Sequence, residues 1–196
     1  MNPGDAEVQR AFGFRGSVVT PRKFGSARLI FFVDLAHDEV SRRRRDNAGA
    51  IVDRRILNAL WEVPADIDYP SDALPPWVLE RLKGVAGVDI SGTVRRTVRP
   101  PLTIRGAAVV GRSLPRLLDV LGPLSSVCPT AAVVTGGSPP ADDAALLDAQ
   151  LFGVAVGWSE RREVHVLTAS QQIEGEIGTY QWHLAELVYA EIAQVS

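Results

Sequence analysis

Residues 29–33 read Leu29-Ile30-Phe31-Phe32-Val33 and carry the strongest strand signal in the chain. Their apolar character is continuous rather than alternating, which is typical of a central strand buried on both faces of a sheet. A shorter extended run, Ser17–Thr20, precedes them across the turn-forming segment 21–26, so the two runs predict a hairpin. Residues 1–16 are polar and contain glycine, which predicts a loose N-terminal arm ahead of this hairpin.

The rest of the chain alternates between strand and helix signals. Apolar, β-rich runs lie at Thr130–Thr135, directly after Pro129, and at Leu151–Trp158 and Val164–Ala169. Helical periodicity or capping signals mark a segment from about residue 36 and the ranges 48–62, 71–84, 113–121, 142–149 and 179–194. This alternation predicts an α/β (or α+β) fold with a mixed central sheet flanked by helices. The C-terminal half has its main elements in the order helix-strand-strand-strand-helix.

Length and composition favour a single globular domain over residues 17–196. The chain has 196 residues, 46% of them hydrophobic and 22% charged, which is close to the average for globular proteins. The proline-rich segment 63–76 is a weak internal boundary, but neither side of it forms an independent set of elements. One cysteine excludes a disulfide framework, and the N-terminus lacks an apolar signal segment. We therefore expect a soluble, cytoplasmic protein without a membrane span.

Charge is unevenly distributed along the sequence. Arginine supplies 19 of the 21 basic residues, and residues 81–116 hold eight basic residues against one acidic residue. Residues 117–196 instead carry ten acidic and two basic residues, a net charge of −8. Two interpretations stay open at this point: the basic segment binds a polyanionic or acidic partner, or it pairs with the acidic C-terminal half.

The first interpretation predicts a non-catalytic accessory domain of a larger assembly, without a cofactor. Its partner is a nucleic acid or an acidic protein surface, and the sequence leaves the oligomeric state open. Arginine suits this role because its planar guanidinium binds phosphate and carboxylate in a bidentate manner. The candidate binding residues are Arg42, Arg43, Arg44, Arg45, Arg95, Arg96 and Arg99.

A second set of polar residues follows the apolar strand. Asp34, His37 and Asp38 lie at the carboxyl end of that strand, where open α/β sheets often place metal ligands or catalytic groups. Histidine adds a nitrogen ligand or a base that titrates near neutral pH. The same residues also fit the first turn of a helix, where carboxylates favour the positive end of the dipole. The sequence leaves both interpretations open.

The order of elements in the C-terminal half resembles the restriction-endonuclease-like core. That resemblance implies an acid at the second strand and an acid-x-lysine pair on the third, which together bind a divalent metal such as Mg²⁺. Asp148 precedes the second strand here, and Glu163 opens the third, with His165 where the lysine would stand. The alternative function is therefore a metal-dependent nuclease or phosphoesterase, so whether the protein is an enzyme stays open. No glycine-rich phosphate loop is present.

Overall fold

The structure is a computed structural model that describes residues 3–20, 28–136, 138–141, 143–169 and 178–193. Its α-helices are α1 Asp5–Phe12, α2 His37–Arg45, α3 Arg54–Trp61, α4 Pro76–Leu82, α5 Leu114–Ser125, α6 Asp143–Leu151 and α7 Thr179–Ala193. Its strands are β1 Ser17–Val19, β2 Arg28–Leu35, β3 Asp68–Pro70, β4 Val88–Ile90, β5 Thr93–Arg96, β6 Leu102–Gly111, β7 Thr130–Thr135, β8 Val154–Glu160 and β9 Glu163–Thr168. The predicted α/β class with a mixed sheet is confirmed.

The chain divides into two compact units. The first contains Met1–Asp34 and Ile104–Glu176, and the second contains Leu35–Thr103 and Ile177–Ser196. The segment 63–76, which the sequence marks as a weak boundary, lies within the second unit. No helix in the described part of the chain is both long enough and apolar enough to cross a bilayer.

The first unit is built on a six-stranded sheet with the strand order β1-β2-β6-β7-β8-β9. Strands β6, β7 and β8 are parallel, and α5 and α6 make the two crossover connections between them. Both outermost pairs, β1–β2 and β8–β9, are antiparallel hairpins. Leu29–Val33 are at most 1% exposed, which confirms the predicted central strand, whereas the turn predicted at 21–26 lies outside the described residues.

Two sequence-based boundaries in the first unit are wrong. Residues 5–12 form α1 rather than a loose arm, because Val8 is fully buried in the cluster on one face of the sheet. Strand β8 begins at Val154 and not at Leu151, because the helix before it continues to Leu151. Leu151 is 82% exposed, so it belongs to the solvent side of α6 rather than to the core strand.

The second unit packs helices against a three-stranded antiparallel sheet with the order β3-β5-β4. Its core combines residues of α3, α4, β5 and α7: Leu57, Leu60, Val78, Leu82, Val94 and Trp182 are all buried there. The helix predicted over 48–62 is shorter, because residues 48–53 are not helical and Asp53 caps α3 by accepting a hydrogen bond from the Arg55 amide. The final helix is largely buried, and it belongs to this second core.

Candidate anion-binding pocket

The four-arginine run on α2 does not form one basic surface. Arg43 is 1% exposed, and Arg42 donates two hydrogen bonds to Glu39 and one to Asp46. Arg44 and Arg45 are exposed at the end of the helix and have no ion-pair partner among the described residues. The prediction that Arg43 binds a partner is therefore wrong, because consecutive helical residues point in different directions and this one points into the core.

Arg43 instead forms a buried ion pair with Glu186 of the final helix. Its two Nη atoms each lie 2.7 Å from a carboxylate oxygen of Glu186, and its Nε lies 2.7 Å from Glu39. Glu186 also accepts hydrogen bonds from the Ile51 amide and from Nε1 of Trp182. Burial lowers the pKa of Arg43, but the hydrogen bonds and charges of the two glutamates outweigh it and raise that pKa. This arginine is thus a structural residue.

The arginines of the small sheet are paired as well. Arg95 lies between Asp68 and Asp89 in one row across the three strands, and its Nη1 is 3.8 Å from the Asp68 carboxylate. Arg99 is exposed and forms an ion pair with Asp66, whose hydrogen bond raises the pKa of Arg99. Two arginines of the basic segment therefore pair with acids of residues 61–80, which neither sequence-based interpretation predicted.

Arg96 is partly buried and serves the fold. Its Nε donates to the Val63 carbonyl at 2.7 Å, and its Nη1 donates to the Val98 carbonyl at 3.0 Å. Its guanidinium also lies over the ring of Trp182, 5.2 Å from the centroid. Burial lowers the pKa of Arg96, and the Asp66 charge opposes that shift only in part. Its Nε and Nη1 donors are therefore engaged within the unit, and its role in binding a partner stays a prediction.

The candidate catalytic residues are all on the surface of the first unit. Asp148 is exposed on α6, six residues before β8 begins, while Glu163 and His165 are exposed on the edge strand β9. His165 lies beside the Trp158 ring, with the two centroids 5.3 Å apart. In the described part of the chain, no three His, Cys, Asp or Glu side chains are grouped so as to hold a metal ion. The nuclease interpretation stays a prediction.

The division of the chain into two units separates Asp34 from His37 and Asp38. His37 and Asp38 are exposed in the first turn of α2, in the second unit. Asp34 belongs to the first unit, where its carboxylate accepts a hydrogen bond of 2.6 Å from Nε of Arg105. The structure therefore gives Asp34 an arginine partner that the sequence did not predict.

Asp34 and Arg105 line a pocket of about 530 Å³ at this end of the first unit. Arg15 opens onto the same pocket, so its charged lining is two arginines and one aspartate, with a net charge of +1. Arg15 is exposed and makes no hydrogen bond or ion pair with the described residues. Among the described residues, Arg105 forms a hydrogen bond only through Nε, so its Nη atoms can still donate to a ligand. The pocket is therefore suited to an anion.

The loop that carries Arg15 is held close to the sheet by its two glycines. Gly13 ends α1 with a φ of +67°, and Gly16 has a φ of +94°, so both occupy the left-handed region that favours glycine. A Cβ on Gly16 would lie 2.5 Å from the Val33 carbonyl oxygen, which means that only glycine fits this close approach. Gln9 donates from Nε2 to the Gly16 carbonyl at 2.8 Å. Arg15 is thus presented by an ordered turn.

Arg15 and Arg105 were not among the sequence-based candidates. The signals that could have identified them are the two glycines that flank Arg15 and the position of Arg105 within the basic segment. Comparison with protein-family models, with curated proteins and with solved structures finds no match to this chain. The interpretation of the pocket therefore depends on its own geometry and charge.

Proposed function

We propose that this protein is a non-catalytic binding module that docks a phosphate-bearing partner, through the pocket formed by Arg15, Asp34 and Arg105. The observation that carries this proposal is that Arg15, which has no partner among the described residues, lines one concave site together with a second arginine. Two guanidinium groups that share a pocket repel one another, and Asp34 compensates only one of them. A bound anion removes the remaining repulsion and engages donors that are otherwise left to water.

A phosphate fits this site better than the side chain of an acidic protein does. Two guanidinium groups can offer several N–H donors to the three or four oxygens of a phosphate, whereas a carboxylate has two. A nucleic acid presents such groups at regular intervals, and arginine contacts to them supply affinity that depends on salt. The proposed partner is therefore a nucleic acid, and an acidic protein is the competing outcome of the test below.

The test is fluorescence anisotropy with a labelled single-stranded oligonucleotide over a series of NaCl concentrations. Arg105→Gln should reduce the magnitude of the log–log salt slope by about 0.7, the value for one phosphate contact on a single strand. Arg95→Gln is the matched control, because Arg95 is 52% exposed and pairs with one aspartate, as Arg105 does at 51%. If the two variants bind the oligonucleotide equally well, with the same salt slope, the proposal is refuted. If poly-glutamate added at the same total charge displaces the oligonucleotide, the partner is an acidic protein instead.

A further inference from the structure

Part of the pocket lining is made of rings. Phe12, Phe14 and Pro129 line it together with Gly13. Phe12 is the outermost of three stacked phenylalanines: its centroid is 6.0 Å from that of Phe14, which is 4.8 Å from that of Phe32. Phe32 is fully buried, Phe14 is 9% exposed and Phe12 is partly exposed, so the stack leads from the core to the pocket.

This aromatic wall is held in place before any ligand arrives. A Cβ on Gly106 would lie 2.5 Å from the Phe14 ring, so the ring occupies the space above a glycine of β6. A Cβ on Gly157 would likewise lie 2.7 Å from Cζ of Phe12, which shows that the tip of this ring rests on β8. A ring fixed by such contacts loses little conformational freedom when another ring packs against it.

Cationic donors and a partly exposed aromatic ring in one pocket match the two parts of a nucleotide. The arginine side chains offer donors to a phosphate, and the chain contains no glycine-rich phosphate loop that would do so instead. The Phe12 ring offers a surface to a base, because every base has a flat face that stacks on an aromatic side chain. The volume of about 530 Å³ lies within the range of small-molecule sites. An acidic side chain would leave the aromatic wall without a partner.

We propose that the pocket binds a single unpaired nucleotide, with its phosphate between Arg15 and Arg105 and its base against Phe12. This inference rests on the proposed function and narrows it, because a base within a duplex is stacked on its neighbours and is not free to enter a pocket. A free nucleoside monophosphate and a nucleotide within a single strand present the same two groups to the pocket, a phosphate and a base. Stacking discriminates little between bases, so recognition is tolerant of sequence.

Calorimetry with four probes measures separately how much the phosphate and the base of the ligand contribute to its affinity. The probes are adenosine 5′-monophosphate, ribose 5-phosphate, adenosine and inorganic phosphate, each titrated into the full chain. We expect the nucleotide to bind on the order of tenfold more tightly than ribose 5-phosphate, which is within the range that stacking contributes per base. Equal affinity of these two probes would overturn the inference.

Phe12→Leu should remove this difference while leaving the affinity for ribose 5-phosphate unchanged. Leucine keeps an apolar side chain on the core, and Trp77→Leu is the control, since Trp77 is a partly exposed aromatic residue of the second unit. If Arg105→Gln weakens all phosphate probes but Phe12→Leu changes nothing, the proposed function stands and this inference fails. If neither variant changes the affinity for any probe, both fail.

Competition between nucleic acids distinguishes the sources of the nucleotide. A labelled adenosine 5′-monophosphate analogue is displaced with an unlabelled single strand, with a blunt duplex of equal phosphate count, or with free nucleotide. Displacement by the single strand but not by the duplex is expected if the ligand is part of a strand. Displacement by free nucleotide alone identifies a free nucleotide as the ligand, which supports the assignment of the pocket but contradicts the nucleic-acid partner of the proposed function. Equal displacement by duplex and single strand would overturn it.

Discussion

The buried ion pair of the second unit allows a quantitative prediction about stability. Glu186 is 0% exposed and its carboxylate accepts four hydrogen bonds, two from Arg43 and one each from the Ile51 amide and Trp182. Glu186→Gln keeps the shape of the side chain, but it removes the charge. It also turns an amide NH₂ group toward N–H groups that donate to the carboxylate in the native protein. Arg43 is then left in the core with Glu39 as its remaining anion.

Breaking a buried pair by removing one partner costs roughly 3–5 kcal/mol. Global stabilities are only about 5–15 kcal/mol, so the free energy of unfolding should fall by roughly a fifth or more. Urea denaturation measures this loss, followed by circular dichroism at 222 nm and by tryptophan fluorescence, because Trp182 donates to Glu186 directly. The matched control is Asp68→Asn on the exposed Arg95–Asp68 pair, which should cost at most about 1 kcal/mol.

A double-mutant cycle isolates the pair itself. Arg43→Gln combined with Glu186→Gln places two neutral amides in the same space, so the double variant should lose less than the sum of the single losses. The expected coupling is about 0.5–3 kcal/mol, the range for residues in one hydrogen-bonded network. A loss below about 1 kcal/mol for Glu186→Gln, or strictly additive single effects, would refute this account of the buried pair.

Three further predictions concern other parts of the chain. Gly16→Ala should weaken phosphate binding and lower the melting temperature, because an alanine there meets the Val33 carbonyl and disfavours a φ of +94°; an unchanged melting temperature would contradict this. Burial raises the pKa of Cys128 to about 12, so a thiol reagent should label it rapidly in urea but not in the native protein between pH 7 and 9. Truncation after Gly178 removes Trp182 from the second core, and a cooperatively unfolding truncated protein would show that this core does not need the final helix.

Local sequence signals identified most elements of the fold because they depend on residues that are close in the chain. The continuous apolar run Leu29–Val33 identified the central strand, since only a position covered on both faces tolerates five such residues. Thr130–Thr135 was recognised with its observed bounds for the same reason. Residues 5–12 were missed because their helix depends on the packing of Val8 against the sheet and not on strong helical periodicity.

The candidate site was only partly visible in the sequence. Asp34 could be selected from its place at the end of a buried strand, because that position follows from local pattern alone. Its pairing with Arg105 spans 71 positions in sequence, and no local pattern encodes a contact of that separation. For the same reason the sequence could not tell which arginines are free: Arg43 is paired 143 positions away, while Arg15 has no partner among the described residues.

The sequence by itself thus determined the α/β class, the buried central strand and the uneven distribution of charge, because composition and periodicity are properties of neighbouring residues. The tertiary structure alone decided how those charges are used. It buried Arg43 against Glu186 and placed Arg95 between two aspartates. It left Arg15 in one pocket with Arg105 and without a partner in the part of the chain that the structure describes. The physical reason is that the free energy of a charge depends on its exposure and on the charges around it, and both are set by contacts between segments far apart in the chain.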